Sequence, residues 1–179
     1  MVPAFDKLNL PLSVARELRS DHAGETGAVW IYKGILAVSR DDEVRAFAEE
    51  HLETEQKHLA FFERWMPKRW HTRLTPLWKL AGWLLGAMPA LFGRRAVFAT
   101  IRAVETFVDD HYLAQIEMLE GNRHWEPLRE QLQAFRQDEI DHRDDAAARI
   151  IEHDGMIARA WARVVETGSA AGVMASRRL

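Results

Sequence analysis

The sequence predicts an all-α protein: a four-helix bundle of two helical hairpins joined by a long crossover. Three observations predict it. No stretch alternates apolar and polar residues with the period of two that marks a strand. Glycine and proline cluster at a few places and leave long uninterrupted segments between them. Those segments fall into two pairs, each pair joined by a tight turn. A chain of 179 residues suits one domain, 1–179, able to bury a real core. With 47% hydrophobic and 28% charged residues it has the composition of a globular chain, not a disordered one. Cysteine is absent, which excludes disulfides, iron–sulfur clusters, thiolate zinc sites and a cysteine nucleophile. The first residues carry Asp6 and Lys7 and no apolar run, unlike a signal or transit peptide.

Pro11 precedes a first helix over Leu12 to Ser39. Asp41 and Asp42 cap a second, Asp42 to Met66, which Pro67 ends. A shorter helix over Leu74 to Met88 is expected to be interrupted by Gly82, Gly86 and Pro89. A long helix over Arg94 to Glu120 stops at Gly121 and Asn122. Pro127 suits the first turn of the next, which runs to Asp154 before Gly155. A last helix, Met156 to Thr167, leads into a Gly/Ala/Ser-rich tail that carries no motif. The hairpins are thus about 12–66 and 94–154, with a crossover at 67–93.

Net charge is −3, but it is unevenly distributed. From Arg64 to Val104 there are eight basic and no acidic residues, whereas the remainder carries a net charge of −11. The same stretch holds Trp65, Trp70, Trp78 and Trp83, and Leu80 to Gly93 has no charge at all. A membrane span needs about 17–25 apolar residues, so this segment is too short to cross a bilayer. Tryptophans, basic flanks and an apolar centre over Trp65–Arg95 describe a helix lying on an anionic lipid surface. The plainer alternative is a crossover that covers the core, its basic residues solvated. The apolar centre argues against nucleic acid as the partner.

Glu-x-x-His occurs twice, at Glu55/His58 and Glu139/His142. Residues three apart share a helix face, so a carboxylate and an imidazole can reach one metal ion. One such pair is commonplace; its placement here is not. Glu25 and Glu55 are equidistant from the turn at residue 40, and Glu105 and Glu139 from the turn at residue 122. In an antiparallel hairpin, equidistant residues lie at one height, here roughly 22–26 Å from the loop. Each hairpin therefore sets one Glu opposite one Glu-x-x-His pair. The flanks Ala-Gly-Glu25-Thr-Gly-Ala and Ile-Arg-Ala-Val-Glu105-Thr-Phe-Val are small or apolar, suggesting burial. Buried together, four carboxylates repel and lose hydration unless cations join them. Four carboxylates and two imidazoles are the ligand set of ferritin-like di-iron and di-manganese bundles. Oxygen and nitrogen donors without thiolate suit iron or manganese.

The motifs Asp21-His22-Ala-Gly-Glu25-x-Gly-Ala, Glu55-x-x-His58-Leu, Pro76-Leu-Trp78-x-x-Ala-Gly, Ala103-Val-Glu105, His111-Tyr112-x-x-Gln115 and Asp138-Glu139-x-x-His142-Arg143-Asp144 resemble the demethoxyubiquinone hydroxylase family of ubiquinone biosynthesis. The resemblance covers Arg16 to His153, in order. It implies a monooxygenase that uses two iron ions and O2 to hydroxylate the ring of a polyprenylated demethoxyubiquinol. It implies metal ligands Glu25, Glu55, His58, Glu105, Glu139 and His142, with Glu55 and Glu139 as bridges. It implies substrate access through the crossover, Trp78 to Phe92. The chain looks like a compact bacterial-type form, peripheral on the cytoplasmic face of the inner membrane. A homo-oligomer or a lipid-presenting partner would also fit the apolar crossover. Three rivals stay open: a ferroxidase or iron store, another di-iron or di-manganese oxidase, and a membrane-surface adaptor without catalysis.

Around these ligands, Asp21 and Asp138 are candidates to orient a histidine. Tyr112 and His111 are candidate catalytic residues, because Tyr112 follows Glu105 by seven positions and returns to its face. His22, His51 and His71 read as structural or solvated, and Trp30, Trp125 and Trp161 as packing.

Overall fold

The computed structural model describes residues 1–150 and 155–178. Among these, six α-helices and two short 3-10 turns, Phe5–Lys7 and Lys68–Trp70, account for the regular structure, with no strand. The helices are α1 (Leu12–Val38), α2 (Asp42–Trp65), α3 (Thr75–Leu91), α4 (Arg94–Met118), α5 (Glu126–Ala148) and α6 (Met156–Ser176). α1 pairs with α2 and α4 with α5; α3 lies mainly on α1, and α6 on α4 and α1.

The turns form where the chain offers caps. Asp41 Oδ1 accepts from the backbone N–H of Glu43 at 3.0 Å and Val44 at 3.3 Å, opening α2. Arg94 reaches back to Asp41 and Glu43, at 3.0 and 2.6 Å, tying the start of α4 to that cap. Gly121 takes a positive φ of 77° in the α4–α5 turn, a conformation that favours glycine.

Two apolar clusters lie toward opposite ends of the bundle. One gathers Leu18, Phe62, Ile116, Leu128 and Phe135. The other gathers Ile35, Val44, Phe47, Phe98 and Ile101. On all four long helices the polar residues at mid-length fall between them. A dry layer above and below leaves charged groups in the middle little water to fall back on.

Three expectations are corrected here. α3 is not interrupted: it runs unbroken to Leu91, with Pro89 in its last turn. Its glycines are contact points with α1. A Cβ on Gly82 would come within 2.3 Å of the Gly27 carbonyl oxygen, and one on Gly86 within 1.9 Å of that of Ile31. The tail is also helical: α6 continues past Thr167 through Gly168 and Gly172 to Ser176. Its buried Val165 and Ser176 and an ion pair from Arg177 to Glu17 at 2.7 Å hold it to the bundle. α5 ends at Ala148, short of the expected Asp154; residues 151–154 lie outside the described residues.

Candidate metal centre and its cavity

All six residues singled out by the hairpin register come together, and all are buried: Glu25, Glu55, His58, Glu105, Glu139 and His142. They form two overlapping groups. Ligand-type atoms of Glu25, Glu55, His58 and Glu139 lie within 4.8 Å of one another, as do those of Glu55, Glu105, Glu139 and His142. Glu55 and Glu139 belong to both groups, and each group adds one further Glu and one His.

Much of this cluster lacks partners. His58 Nδ1 is 3.1 Å from Glu139 Oε1. His142 Nδ1 is 3.1 Å from Glu55 Oε1 and 3.4 Å from Glu139 Oε2, but neither approach is aligned as a hydrogen bond. Glu25 Oε2, both Glu55 oxygens, Glu139 Oε2 and His142 Nδ1 are buried without a hydrogen-bond partner among the described residues. Orphaned acceptors of this kind are costly in a protein interior unless something positive meets them. Their number, type and convergence fit two metal ions.

The titration behaviour of the protein atoms alone says the same. Burial, then the charge of Glu139, pushes Glu55 up to about 8. Burial and the charges of Glu139 and Glu55 hold Glu105 well above the usual carboxylate range. Burial also works against Glu139, yet the imidazoles of His142 and His58 bring it down. Burial opposes the charged form of both histidines, but neighbouring carboxylates prevail and raise His58 to about 12 and His142 to about 11. Without metal the cluster holds protons in the places where cations would sit.

A further set of side chains braces these six. Asp138 Oδ2 lies 2.9 Å from His58 Nε2, holding the far side of that ring. Tyr112 donates to Glu25 Oε1, so its position seven residues after Glu105 brings it to the opposite hairpin's carboxylate. His111 Nε2 lies 3.2 Å from both Ser20 Oγ and Asp21 Oδ1. Asp21 therefore faces His111 and Gln115, which donates to it at 2.6 Å, instead of orienting either histidine of the cluster. His22 stacks on His71 at 4.2 Å, and burial lowers it to about 4.

One residue was missed. Tyr32 is fully buried and donates to Glu105 Oε1 at 3.3 Å. It repeats the Tyr112–Glu25 contact across the bundle. The signal was present: the chain has only two tyrosines, and each follows an unpaired Glu by seven residues, Glu25/Tyr32 and Glu105/Tyr112. His51, read as structural or solvated, is buried with its ring 4.1 Å from that of His142 and its Nε2 3.0 Å from Asp145 Oδ2.

Above the cluster is a cavity of about 370 Å³ between α1, α3, α4 and α6. Glu25, Glu55, Glu105, Glu139 and Tyr112 form its polar end, and its walls are largely apolar, with Trp78, Leu85 and Val108 among them. Exposed lining residues Gly24, Ala81 and Gly168 mark where it opens. α3 beside it is inverted: small residues Gly82, Gly86 and Ala87 face the protein, while Leu77, Leu80, Leu84, Met88 and Leu91 are exposed. No helix among the described residues is long and apolar enough to cross a membrane.

Residues 13–176 match the family described as "Ubiquinone biosynthesis protein COQ7". Among curated relatives, the mouse protein named "NADPH-dependent 3-demethoxyubiquinone 3-hydroxylase, mitochondrial" is 36% identical, covering 93% of this chain and 78% of its own length. The Rhodospirillum rubrum "3-demethoxyubiquinol 3-hydroxylase" is 40% identical, over 73% of this chain and 62% of its own. The Saccharomyces cerevisiae "5-demethoxyubiquinone hydroxylase, mitochondrial" is 31% identical, over 84% and 70%.

Proposed function

This chain belongs to the COQ7 family of ubiquinone biosynthesis proteins, and from that premise we propose that it is a monooxygenase that hydroxylates the ring of a polyprenylated demethoxyubiquinol with O2, using two iron ions. One observation carries the reading: two overlapping Glu/His groups, sharing Glu55 and Glu139, lie at the polar end of an apolar cavity that opens at the surface. Glu25 and His58 would hold one ion, Glu105 and His142 the other, and Glu55 and Glu139 would bridge them. When bound, the iron supplies the reductive activation of O2 that ring hydroxylation needs. One oxygen atom enters a ring C–H bond and the other leaves as water, with two electrons and two protons drawn from a reductant. The mouse relative's name gives NADPH as that protein's.

The protein's own residues prepare this chemistry. Apolar walls keep bulk water from the cluster, which strengthens every charge interaction there. Asp138 fixes the ring of His58 so that Nδ1 faces the carboxylates. Tyr112 borders the cavity with its hydroxyl on Glu25, where it can hold or pass a proton between substrate and cluster. His111, beside it on α4, also borders the cavity and is paired with Asp21.

A long-tailed quinol resides in a bilayer, so the enzyme works at a membrane surface. The exposed apolar row of α3, with basic Lys68, Arg73 and Lys79 around it, suits an anionic lipid surface. A peripheral place on the cytoplasmic face of a bacterial inner membrane follows from this reading, with a second copy or a lipid-presenting protein as a further occupant of that face. A ferroxidase has no use for an apolar cavity, and an adaptor has none for buried unpartnered carboxylates.

Incubating the reduced, iron-loaded protein with a demethoxyubiquinol analogue under labelled O2 tests the reading by mass spectrometry. A ring-hydroxylated product with one labelled oxygen supports it. Ferrous oxidation and O2 consumption without product would replace it with a ferroxidase.

A further inference from the structure

Five of the chain's ten glycines line this same cavity: Gly24, Gly27, Gly82, Gly168 and Gly172. They are glycine for different reasons. Gly82 must be, because a Cβ would strike α1, as described above. At Gly172 a Cβ would meet the Trp78 ring at 3.4 Å, an ordinary contact. At Gly24, Gly27 and Gly168 a Cβ would meet nothing within 4 Å among the described residues, and none of the three has a positive φ.

These three therefore have no packing or backbone reason to be glycine. They sit inside helices α1 and α6, where glycine weakens the helix relative to alanine. What their missing side chains leave is space, and the space belongs to the cavity. Gly24 and Gly168 are exposed lining residues and so stand at its opening. Gly24 and Gly27, three apart on α1, share a face.

A second observation marks the same space as a ligand's. Asp21 Oδ2 and Ser176 Oγ are buried, line this cavity and have no hydrogen-bond partner among the described residues. Neither belongs to the metal cluster. They are suited to the oxygen substituents of a ring. The volume, about 370 Å³, is near the lower end of the roughly 300–1,000 Å³ typical of ligand pockets. It accommodates a substituted ring and the start of a chain, so a long tail must leave through the opening.

Resting on the hydroxylase reading, we propose that Gly24, Gly27 and Gly168 set the bore of this cavity and so determine that a quinol-sized ring carrying a flexible tail can reach the carboxylates. They are specificity-determining residues that act through the side chains they lack.

The test compares Gly168→Ala and Gly168→Leu, with Gly24→Ala as a second site. Two ligands are measured on each: a short-tailed demethoxyubiquinone analogue, by equilibrium dialysis against iron-free protein, and O2, by stopped-flow oxidation of the ferrous protein. Alanine at either site should melt at or above the parent temperature, since it strengthens the helix and meets open space. Gly168→Leu should lower affinity for the analogue at least tenfold, with Gly168→Ala intermediate, iron content unchanged and O2 oxidation at the parent rate. Parent-like analogue binding in folded Gly168→Leu would overturn the proposal and leave the hydroxylase reading standing. Should Gly168→Leu fail to fold, parent-like binding in both alanine variants would overturn it equally. A parent protein that binds no quinol analogue would overturn the hydroxylase reading and this proposal together.

Discussion

Tyr32 and Tyr112 show how much a single hydroxyl can control at this centre. Each donates to a carboxylate of the opposite hairpin, Tyr32 to Glu105 and Tyr112 to Glu25, and both are buried. Groups that orient metal ligands typically change metal affinity 10–100-fold when removed. Tyr32→Phe should therefore weaken iron binding about tenfold or more at unchanged fold, read by competition with a chromophoric chelator. Tyr112→Phe should do the same and also slow hydroxylation, because Tyr112 alone of the pair borders the cavity. The ligand protons make a second prediction. At pH 7 in metal-free protein, Glu55 (about 8), His58 (about 12) and His142 (about 11) hold protons. Ligation needs the deprotonated forms, so loading iron should release up to about three protons from these groups. Affinity must then rise with pH and fall as pH drops, and the heat of binding must change with the buffer's ionisation enthalpy. At this scale the sequence was informative where helix register governs. Equal distances from two turns were enough to gather the six residues. Tyr32 went unread because a buried tyrosine is more often simple packing. Asp21 does pair with a histidine of another helix, His111, but which histidine it would meet depends on a helix rotation that no spacing reveals.

At the scale of the element, α3 depends on close approach to α1. The positions of Gly82 and Gly86 leave no room for a methyl group. Forcing one into a packed contact costs about 1–3 kcal/mol. Gly86→Ala should thus lower the melting temperature although alanine is the better helix former, whereas Gly168→Ala on α6 should not. That opposite response to one substitution is a thermal-denaturation experiment on two variants. It also explains why α3 and α6 were misread. Glycine and proline weaken an isolated helix, so Gly82, Gly86, Pro89, Gly168 and Gly172 looked like breaks. Tertiary packing reverses that at Gly82 and Gly86, where the absent side chain lets two backbones touch. The ends of α2 were legible because their signals are local: the Asp41 cap and Pro67.

For the whole molecule, two dry clusters enclose an acidic layer, and an inverted helix and a small-residue helix wall the way into it. Metal ions held in that layer would tie stability to metal. A ligand that binds only the folded chain stabilises it by mass action, about 2.7 kcal/mol at one hundred times its dissociation constant. Chelation should accordingly lower the melting temperature by at least about 5 °C, given roughly 2–4 °C per kcal/mol for a chain of this size. The charge asymmetry makes another prediction. Arg69 and Arg94 are engaged by Asp6 and by Asp41 and Glu43, so the charges to remove in testing the proposed lipid surface are Lys68, Arg73 and Lys79. Neutralising these three should weaken co-sedimentation with anionic vesicles, more at low salt than at high salt because screening already removes much of their effect there. Leu80→Asp with Leu84→Asp should abolish it at any salt. The most direct measurement of the central claim is anomalous diffraction at the iron edge from crystals loaded with ferrous iron without oxygen. Two peaks roughly 3.5–4 Å apart are expected, with Glu55 and Glu139 between them, Glu25 and His58 on one and Glu105 and His142 on the other. A single peak, or peaks away from these six residues, would contradict it.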